Sequence, residues 1–238
     1  MLHKIDPSRD ALFLDIDGTL LDIASRPEDV AVPPALVDDL GRLQHKLGGA
    51  LAFISGRLIL EADRLFAPLR LCGAGAHGAE WRLSPGGEVE AGPSLSHELR
   101  DELAAAFADL DGVIVEDKIY GVAVHYRRAP RKGGEAGRRV MALAEKRGKE
   151  IKIIHGRKVL EVVPSSNDKG TALERLMAVA PFKGRRPVFL GDDTTDLAAI
   201  AVCLKKGGLA ARVGHGASRR NAFASPATVR AWIHEIAA

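Results

Sequence analysis

The sequence predicts an α/β fold: a parallel sheet covered by helices, with a smaller α/β domain inserted into it. Three observations lead there. Apolar runs of strand length alternate with amphipathic helical stretches early and late in the chain, the alternation that builds parallel sheets. Two of these runs lead into aspartates, residues 11–14 directly and residues 188–190 after one glycine, and open α/β sheets carry their chemistry at such strand ends. Between them the pattern changes to period-two strands in pairs with a helix between, the grammar of an α+β layer. The expected division is a core made of residues 1–94 and 164–238 and an insert made of residues 95–163.

Taken in order, the apolar run at 11–14 reads as a buried strand, with Gly18-Thr19 as the turn beyond it. Period-two alternation puts Asp15 and Asp17 on one side, where two like charges require a metal ion or a shared proton. The competing reading is a strand that simply closes on an Asx turn. Residues 22–32 are a polar connection containing Pro27. Pro33-Pro34 then opens a helix with Leu36, Leu40, Leu43 and Leu47 on one stripe, and Gly48-Gly49 ends it. A second strand at 50–54 stops at Ser55-Gly56-Arg57 and leads into a helix reaching Phe66. Residues 71–81 read as one further strand running through glycines, with Gly86-Gly87 as a later turn.

The insert is expected to hold a helix over 95–110, strands at 113–116 and 120–127, a helix from Gly133-Gly134 to Arg147, and strands at 151–154 and 158–163. The core then resumes with a helix over 168–179, a strand at 187–190, a helix after Asp196, a strand at 209–213 and a last helix opened by Ser225-Pro226.

Composition narrows the partners. With 238 residues and 46% hydrophobic content, the chain can bury a substantial core. The net charge of +3 is slight, and the basic residues are scattered. Arg219-Arg220 and the cluster at 127–132 read as solvated turns, so no nucleic-acid partner is expected. Cys72 and Cys203 lack C-x-x-C spacing and read as small buried hydrophobes. The opening MLHKIDPSRD has no apolar segment, and no later stretch has the length of a membrane span. The expectation is a reduced, cytoplasmic, soluble protein with no membrane contact and no obligate protein partner.

The second acidic cluster is Gly191-Asp192-Asp193-Thr194-Thr195-Asp196. Three aspartates at one strand end repel one another unless a divalent cation compensates them. Together with Asp15 and Asp17 they form an oxygen-only ligand set, which suits Mg²⁺ rather than zinc. Asp196 has a second reading, as a helix cap. An aspartate at a strand end can attack phosphorus, and Asp15 is the candidate nucleophile. Asp17 can protonate a leaving oxygen and later take a proton from water. Ser55 and Gly56 can offer a hydroxyl and backbone N–H groups to a phosphate oxygen, although Ser55 reads equally well as an N-cap. Lys169 stands at the start of a helix, where the dipole disfavours a cation unless an anion is bound beside it.

Four strings in order, Asp15-Ile16-Asp17-Gly18-Thr19-Leu20, Ser55-Gly56-Arg57, Lys169-Gly170 and Gly191 to Asp196, resemble the motifs of the haloacid dehalogenase superfamily of phosphatases. More narrowly, nearly the whole chain resembles the trehalose-6-phosphate phosphatase family. The closer strings are Gly75-Ala76-His77-Gly78-Ala79-Glu80, Val115-Glu116-Asp117-Lys118, Val124-His125-Tyr126-Arg127, and Gly156-Arg157-Lys158-Val159-Leu160-Glu161 running to Pro164. The resemblance implies a Rossmann-like core with an α/β cap inserted between the second and third motifs. It implies Mg²⁺ held by Asp15, the backbone carbonyl of Asp17, and Asp192, with Asp193 and Asp196 in support. It also implies a sugar held by cap residues Glu116, Lys118 and Glu161, with Arg127 and Lys158 beside them. The activity so implied is Mg²⁺-dependent release of phosphate from trehalose 6-phosphate through an aspartyl phosphate. Another sugar phosphate as substrate, or a non-catalytic sensor of sugar phosphate, are the alternatives. One departure is visible: Leu197 stands where the family pattern continues with Glu.

Overall fold

The computed structural model describes residues 5–24, 29–156, 158–214 and 222–238. Pro27, Arg157 and the Arg219-Arg220 pair lie outside them. The chain divides into two compact units, Met1–Ala91 with Asp168–Ala238, and Gly92–Asn167.

In the first unit an apolar strand, β1 (Asp10–Leu14), is buried at every position, as a strand covered on both faces must be. Helix α1 (Pro34–Lys46) follows, with Pro34 at its first turn and Leu36, Leu40 and Leu43 buried. Next come β2 (Leu51–Ile54), α2 (Ile59–Leu65) and β3 (Cys72–Gly75). Here the structure departs from expectation, since residues 71–81 are two strands and not one. A 3₁₀ turn over Ala76–Gly78, with Ala76 and His77 in the left-handed region, reverses the chain, so that β4 (Glu80–Arg82) runs antiparallel to β3. The reversal rests on two non-glycine residues with positive φ, which no propensity rule anticipates. A short β5 (Glu90–Ala91) ends this half.

The second unit holds α3 (His97–Ala106), β6 (Ile114–Asp117), β7 (Val122–His125), α4 (Gly133–Arg147), β8 (Ile151–Gly156) and β9 (Val159–Pro164). Helix α3 is shorter than the stretch 95–110. Ser96 caps its N-terminus by accepting from the Leu99 N–H, and the helix ends at Phe107. The sheet is antiparallel in the order β6-β7-β9-β8. Leu99, Leu103, Val140 and Leu143 of the helices pack with Val122, Val124, Leu160 and Val162 into a core of this unit's own. Alternation sends Glu116, Ala123 and Glu161, aligned across β6, β7 and β9, to the opposite face.

The chain returns to the first unit with α5 (Lys169–Met177), β10 (Arg186–Gly191), α6 (Leu197–Lys205), β11 (Leu209–Val213), β12 (Ala222–Phe223) and α7 (Pro226–Ala237). Strand β12 is two residues long, too short to leave a periodic signal. The large sheet runs β12-β11-β10-β1-β2-β3-β4-β5, with β4 alone running opposite to the rest, antiparallel to both β3 and β5. The order reverses at β1, which lies between β10 and β2, with Leu14 opposite both Leu190 and Phe53. Ligand crevices of open α/β sheets form at such a reversal, beyond the strands' carboxyl ends. Both acidic strings leave the sheet there. No helix among the described residues is long and apolar enough to cross a membrane.

Candidate active site

Asp15 follows the last residue of β1, and its N–H donates to the Leu190 carbonyl of β10, which fixes it against the neighbouring strand (3.0 Å). Asp192 follows the last residue of β10. Between them the chain turns at Gly18, whose φ of +79° is left-handed and whose Cα faces the Asp192 carboxylate so closely that any side chain would collide with it. The Thr19 hydroxyl lies 3.5 Å from Asp15 Oδ2 and 3.4 Å from Asp192 Oδ1. Lys169 opens α5, which Asp168 caps by accepting from the Thr171 N–H (2.8 Å). The Arg175 guanidinium of the same helix stacks on Trp81 of β4, 3.4 Å from the ring centroid, and so anchors α5 to the sheet.

From that helix start the Lys169 ammonium, 3% exposed, donates to Asp15 Oδ1 at 2.7 Å and to Asp196 Oδ1 at 2.6 Å. Asp196 is fully buried and also accepts from the Asp193 N–H at 2.9 Å. The bonds to Lys169 and the Asp193 N–H make it both a member of the cluster and the closing half of the cap on the 3₁₀ turn Thr194–Asp196. Asp193 caps the same turn through the Thr194 N–H and is exposed. Because Asp193 and Asp196 cap this turn between them, Leu197 is left half-exposed at the start of α6 without disturbing it.

The charge does not balance within this group. Carboxylate oxygens of Asp15, Asp192 and Asp196 lie within 4.8 Å of one another, against one ammonium. Burial pushes the Asp15 carboxyl up to about 8, with Asp196 and Asp192 adding to the rise and Lys169 opposing it. Asp192 is raised as well, by burial first and by Asp196 next. Burial works against the Lys169 charge too, yet the Asp15 and Asp196 carboxylates hold its pKa above the ordinary value. A hard divalent cation with oxygen ligands fits this donor set, and its charge would relieve the same repulsion.

Asp17 stands apart from that cluster. Its carboxylate forms a two-pronged ion pair with Arg57, Nε to Oδ2 at 2.6 Å and Nη2 to Oδ1 at 2.7 Å. The Asp17 side chain is thus turned to Arg57 and not to Asp15. Ser55 directly follows β2 and is buried; its hydroxyl accepts from the Arg57 N–H at 3.2 Å and caps no helix, since the N-cap of α2 is Leu58. Arg57 and Thr19 are the two side chains of this site to which sequence reasoning gave no role. The signal was present, because both sit inside the strings that carry the resemblance.

In the second unit, Glu116, Lys118 and Glu161 gather on the sheet face away from the helices. Lys118 Nζ donates to Glu161 Oε1 at 2.7 Å, and Glu116 Oε2 lies 2.8 Å from His125 Nε2. Arg127 and Lys158 lie toward the other end of these strands, where the Tyr126 N–H donates to the Lys158 carbonyl.

Comparison with known proteins gives the family. The family model described as trehalose-phosphatase matches residues 13–229. A probable trehalose-phosphate phosphatase of Sinorhizobium fredii is 44% identical over 206 residues, covering 86% of this chain and 77% of its own length. The trehalose-6-phosphate phosphatase of Escherichia coli is 36% identical over 232 residues, 95% of this chain and 86% of that one. Among solved structures, the C-terminal domain of the Candida albicans trehalose-6-phosphate phosphatase has the same fold, with a TM-score of 0.80 at 20% identity over 97% of this chain and 93% of that chain. The match runs from within β1 into the last helix and takes in both acidic strand ends, Lys169 and the inserted unit: the chain belongs to the trehalose-phosphatase family.

Proposed function

We propose that this protein hydrolyses trehalose 6-phosphate to trehalose and phosphate. The observation that carries the reading is the buried cluster of Asp15, Lys169, Asp192 and Asp196 at the ends of adjacent strands, in a chain of this family. Asp15 attacks phosphorus, and the bond between phosphorus and the sugar oxygen breaks. The Asp17 carboxylate leaves Arg57, takes up a proton from solvent and passes that proton to the departing oxygen. In the second half the same carboxylate takes a proton from water as that water attacks the aspartyl phosphate, releasing phosphate and restoring Asp15. Lys169, Ser55 and the N–H groups of the Ser55-Gly56 turn hold the phosphoryl oxygens. Mg²⁺, which Asp15, the Asp17 carbonyl and Asp192 would hold with Asp193 and Asp196 in support, supplies charge neutralisation of the phosphoryl group when bound.

The sugar hydroxyls are the task of Glu116, Lys118 and Glu161, with Arg127 and Lys158 beside them. In this reading residues 95–163 are the sugar-recognising insert and residues 1–94 with 164–238 the catalytic part. The buried free thiols Cys72 and Cys203 suit a reducing cytoplasm.

The test is phosphate release from trehalose 6-phosphate, sucrose 6-phosphate and a glucosylglycerol phosphate, each with Mg²⁺ and with chelator. Trehalose 6-phosphate should be preferred, and chelation should silence it reversibly. Preference for another sugar phosphate would replace the substrate and keep the chemistry. Release that survives exhaustive chelation, or no release from any of the three, would remove the chemistry itself.

A further inference from the structure

The turn Gly75-Ala76-His77-Gly78 is more tightly constrained than a reversal between two strands requires. Ala76 has φ +46° and His77 φ +57°, two successive non-glycine residues in the left-handed region. Such a conformation is costly and persists only where its surroundings enforce it, which makes an observed pair of this kind a pointer to function. The contacts that hold it run to the residues flanking Gly56 and to the residue before Lys169. The His77 N–H donates to the Ser55 carbonyl at 2.9 Å, and the Ala76 N–H donates to the Arg57 carbonyl at 2.8 Å. These two bonds register the turn on either side of Gly56. On its far side the turn is pressed against the residue preceding Lys169, and a methyl group built on Gly78 would stand 2.6 Å from the Asp168 carbonyl oxygen.

This wedge between the Ser55 turn and the start of α5 fixes where the imidazole goes. A methyl group built on Gly56 would stand 2.8 Å from both Cε1 and Nε2 of His77. Gly56 therefore lacks a side chain because the His77 ring occupies that space. The ring is half-buried, so it is held in place and still reachable. The ring nitrogen on the Gly56 side is Nε2, which is an N–H donor there in the Nε2–H tautomer and in the imidazolium.

We propose that His77 is a further binding residue of this site, donating a hydrogen bond to the phosphate ester held at the Ser55-Gly56 turn. The proposal rests on the reading of that turn as the phosphate site. It also accounts for the strain, which a turn with only a connecting role could shed by placing glycine at 77.

Two substitutions separate recognition from folding. His77→Gly removes the ring and relaxes the left-handed backbone, and His77→Asn keeps a donor on a residue that tolerates that backbone. The expected result is a folded His77→Gly protein with an unchanged or higher melting temperature. Its kcat/KM for trehalose 6-phosphate should be lower by about 10- to 100-fold, and its inhibition by inorganic phosphate should weaken by a similar factor. His77→Asn should lie between this variant and the unsubstituted protein. A His77→Gly protein with unaltered phosphate inhibition and kcat/KM would overturn the proposal and leave the turn a structural device. A measurement on the unsubstituted protein covers the case in which neither variant folds. Carbethoxylation of His77, followed by mass spectrometry, should slow severalfold in saturating inorganic phosphate with Mg²⁺, and an unchanged rate would overturn the proposal. If the unsubstituted protein neither releases phosphate nor is inhibited by it, the phosphate-site reading itself fails and His77 falls with it.

Discussion

Replacing Lys169 by methionine tests whether the cluster is the charged object described above. The side chain is 3% exposed, and methionine keeps an unbranched apolar stem while deleting the ammonium that bonds Asp15 at 2.7 Å and Asp196 at 2.6 Å. Breaking a buried ion pair from one side costs about 3–5 kcal/mol, because the surviving charge is left without a partner. The loss should depend on pH. The Asp15 carboxyl is pushed up to about 8 even with Lys169 opposing the rise, so without the ammonium it keeps its proton to higher pH, and the variant falls further behind the unsubstituted protein once the pH passes about 8. The lower end of the range therefore applies near pH 6.5 and the upper end near pH 9. For a chain of this size 1 kcal/mol moves the melting temperature by about 2–4 °C, giving a predicted drop of about 6–20 °C, larger at the higher pH. Thermal melts of both proteins in chelator at the two pH values measure it. Adding Mg²⁺ at about a hundred times its dissociation constant should return about 2.7 kcal/mol in each protein, while phosphate release by Lys169→Met stays at least a hundredfold down. A Lys169→Met protein that melts within a degree of the original at both pH values would refute the reasoning, since it would mean the ammonium neutralises nothing there.

Three further outcomes are expected. Asp15→Asn should abolish turnover and also flatten a pH dependence: the folded pKa of Asp15 lies above its unfolded value, so the native state holds the extra proton, and the metal-free protein should lose stability as pH rises from about 4 to about 8. Urea titrations in chelator across that range should show the slope in the unsubstituted protein and its loss in the variant. Asp17→Asn should slow sugar-phosphate hydrolysis far more than release of p-nitrophenol from its phosphate, because an activated phenol leaves without a proton; equal losses in initial-burst rates would exclude the acid role. Glu116→Ala and Glu161→Ala should each lower kcat/KM for trehalose 6-phosphate by about 10- to 100-fold and spare p-nitrophenyl phosphate, as steady-state kinetics on both substrates will show.

The parallel sheet was legible because burial on both faces writes itself as uninterrupted apolar runs, as in residues 11–14 and 51–54, and because each run ended in a residue that cannot continue a buried strand. Asp15, Asp192 and Lys169 were legible for the opposite reason, being charged groups where local preference argues against them. The side-chain pairings were not. Nothing in the spacing tells that Asp17 turns to Arg57 while Asp196 turns to Lys169, since both choices depend on contacts across the fold, 40 residues apart in one case and 27 in the other. The reversal at Ala76–His77 was missed because its left-handed backbone is imposed by Ser55 and Arg57 from outside the turn. The closeness of His77 to Gly56 hid behind the same reversal.

The central position of β1 has a consequence for how the chain comes into being. Asp10 of β1 is ion-paired with Arg186, at the start of β10, and the two are 176 residues apart. At about 5–20 residues per second of synthesis, one edge of β1 waits roughly 9–35 s for its partner strand to leave the ribosome. All pairings of the second unit, by contrast, close within Gly92–Asn167, where the Asn167 side-chain amide also donates to the Pro93 carbonyl at 2.9 Å and ties the exit of that unit to its entry. The nascent chain therefore holds a finished inserted unit beside a half-built sheet whose central strand still exposes an open edge. That interval, and not the equilibrium stability of the finished protein, is when a chaperone would have most to protect.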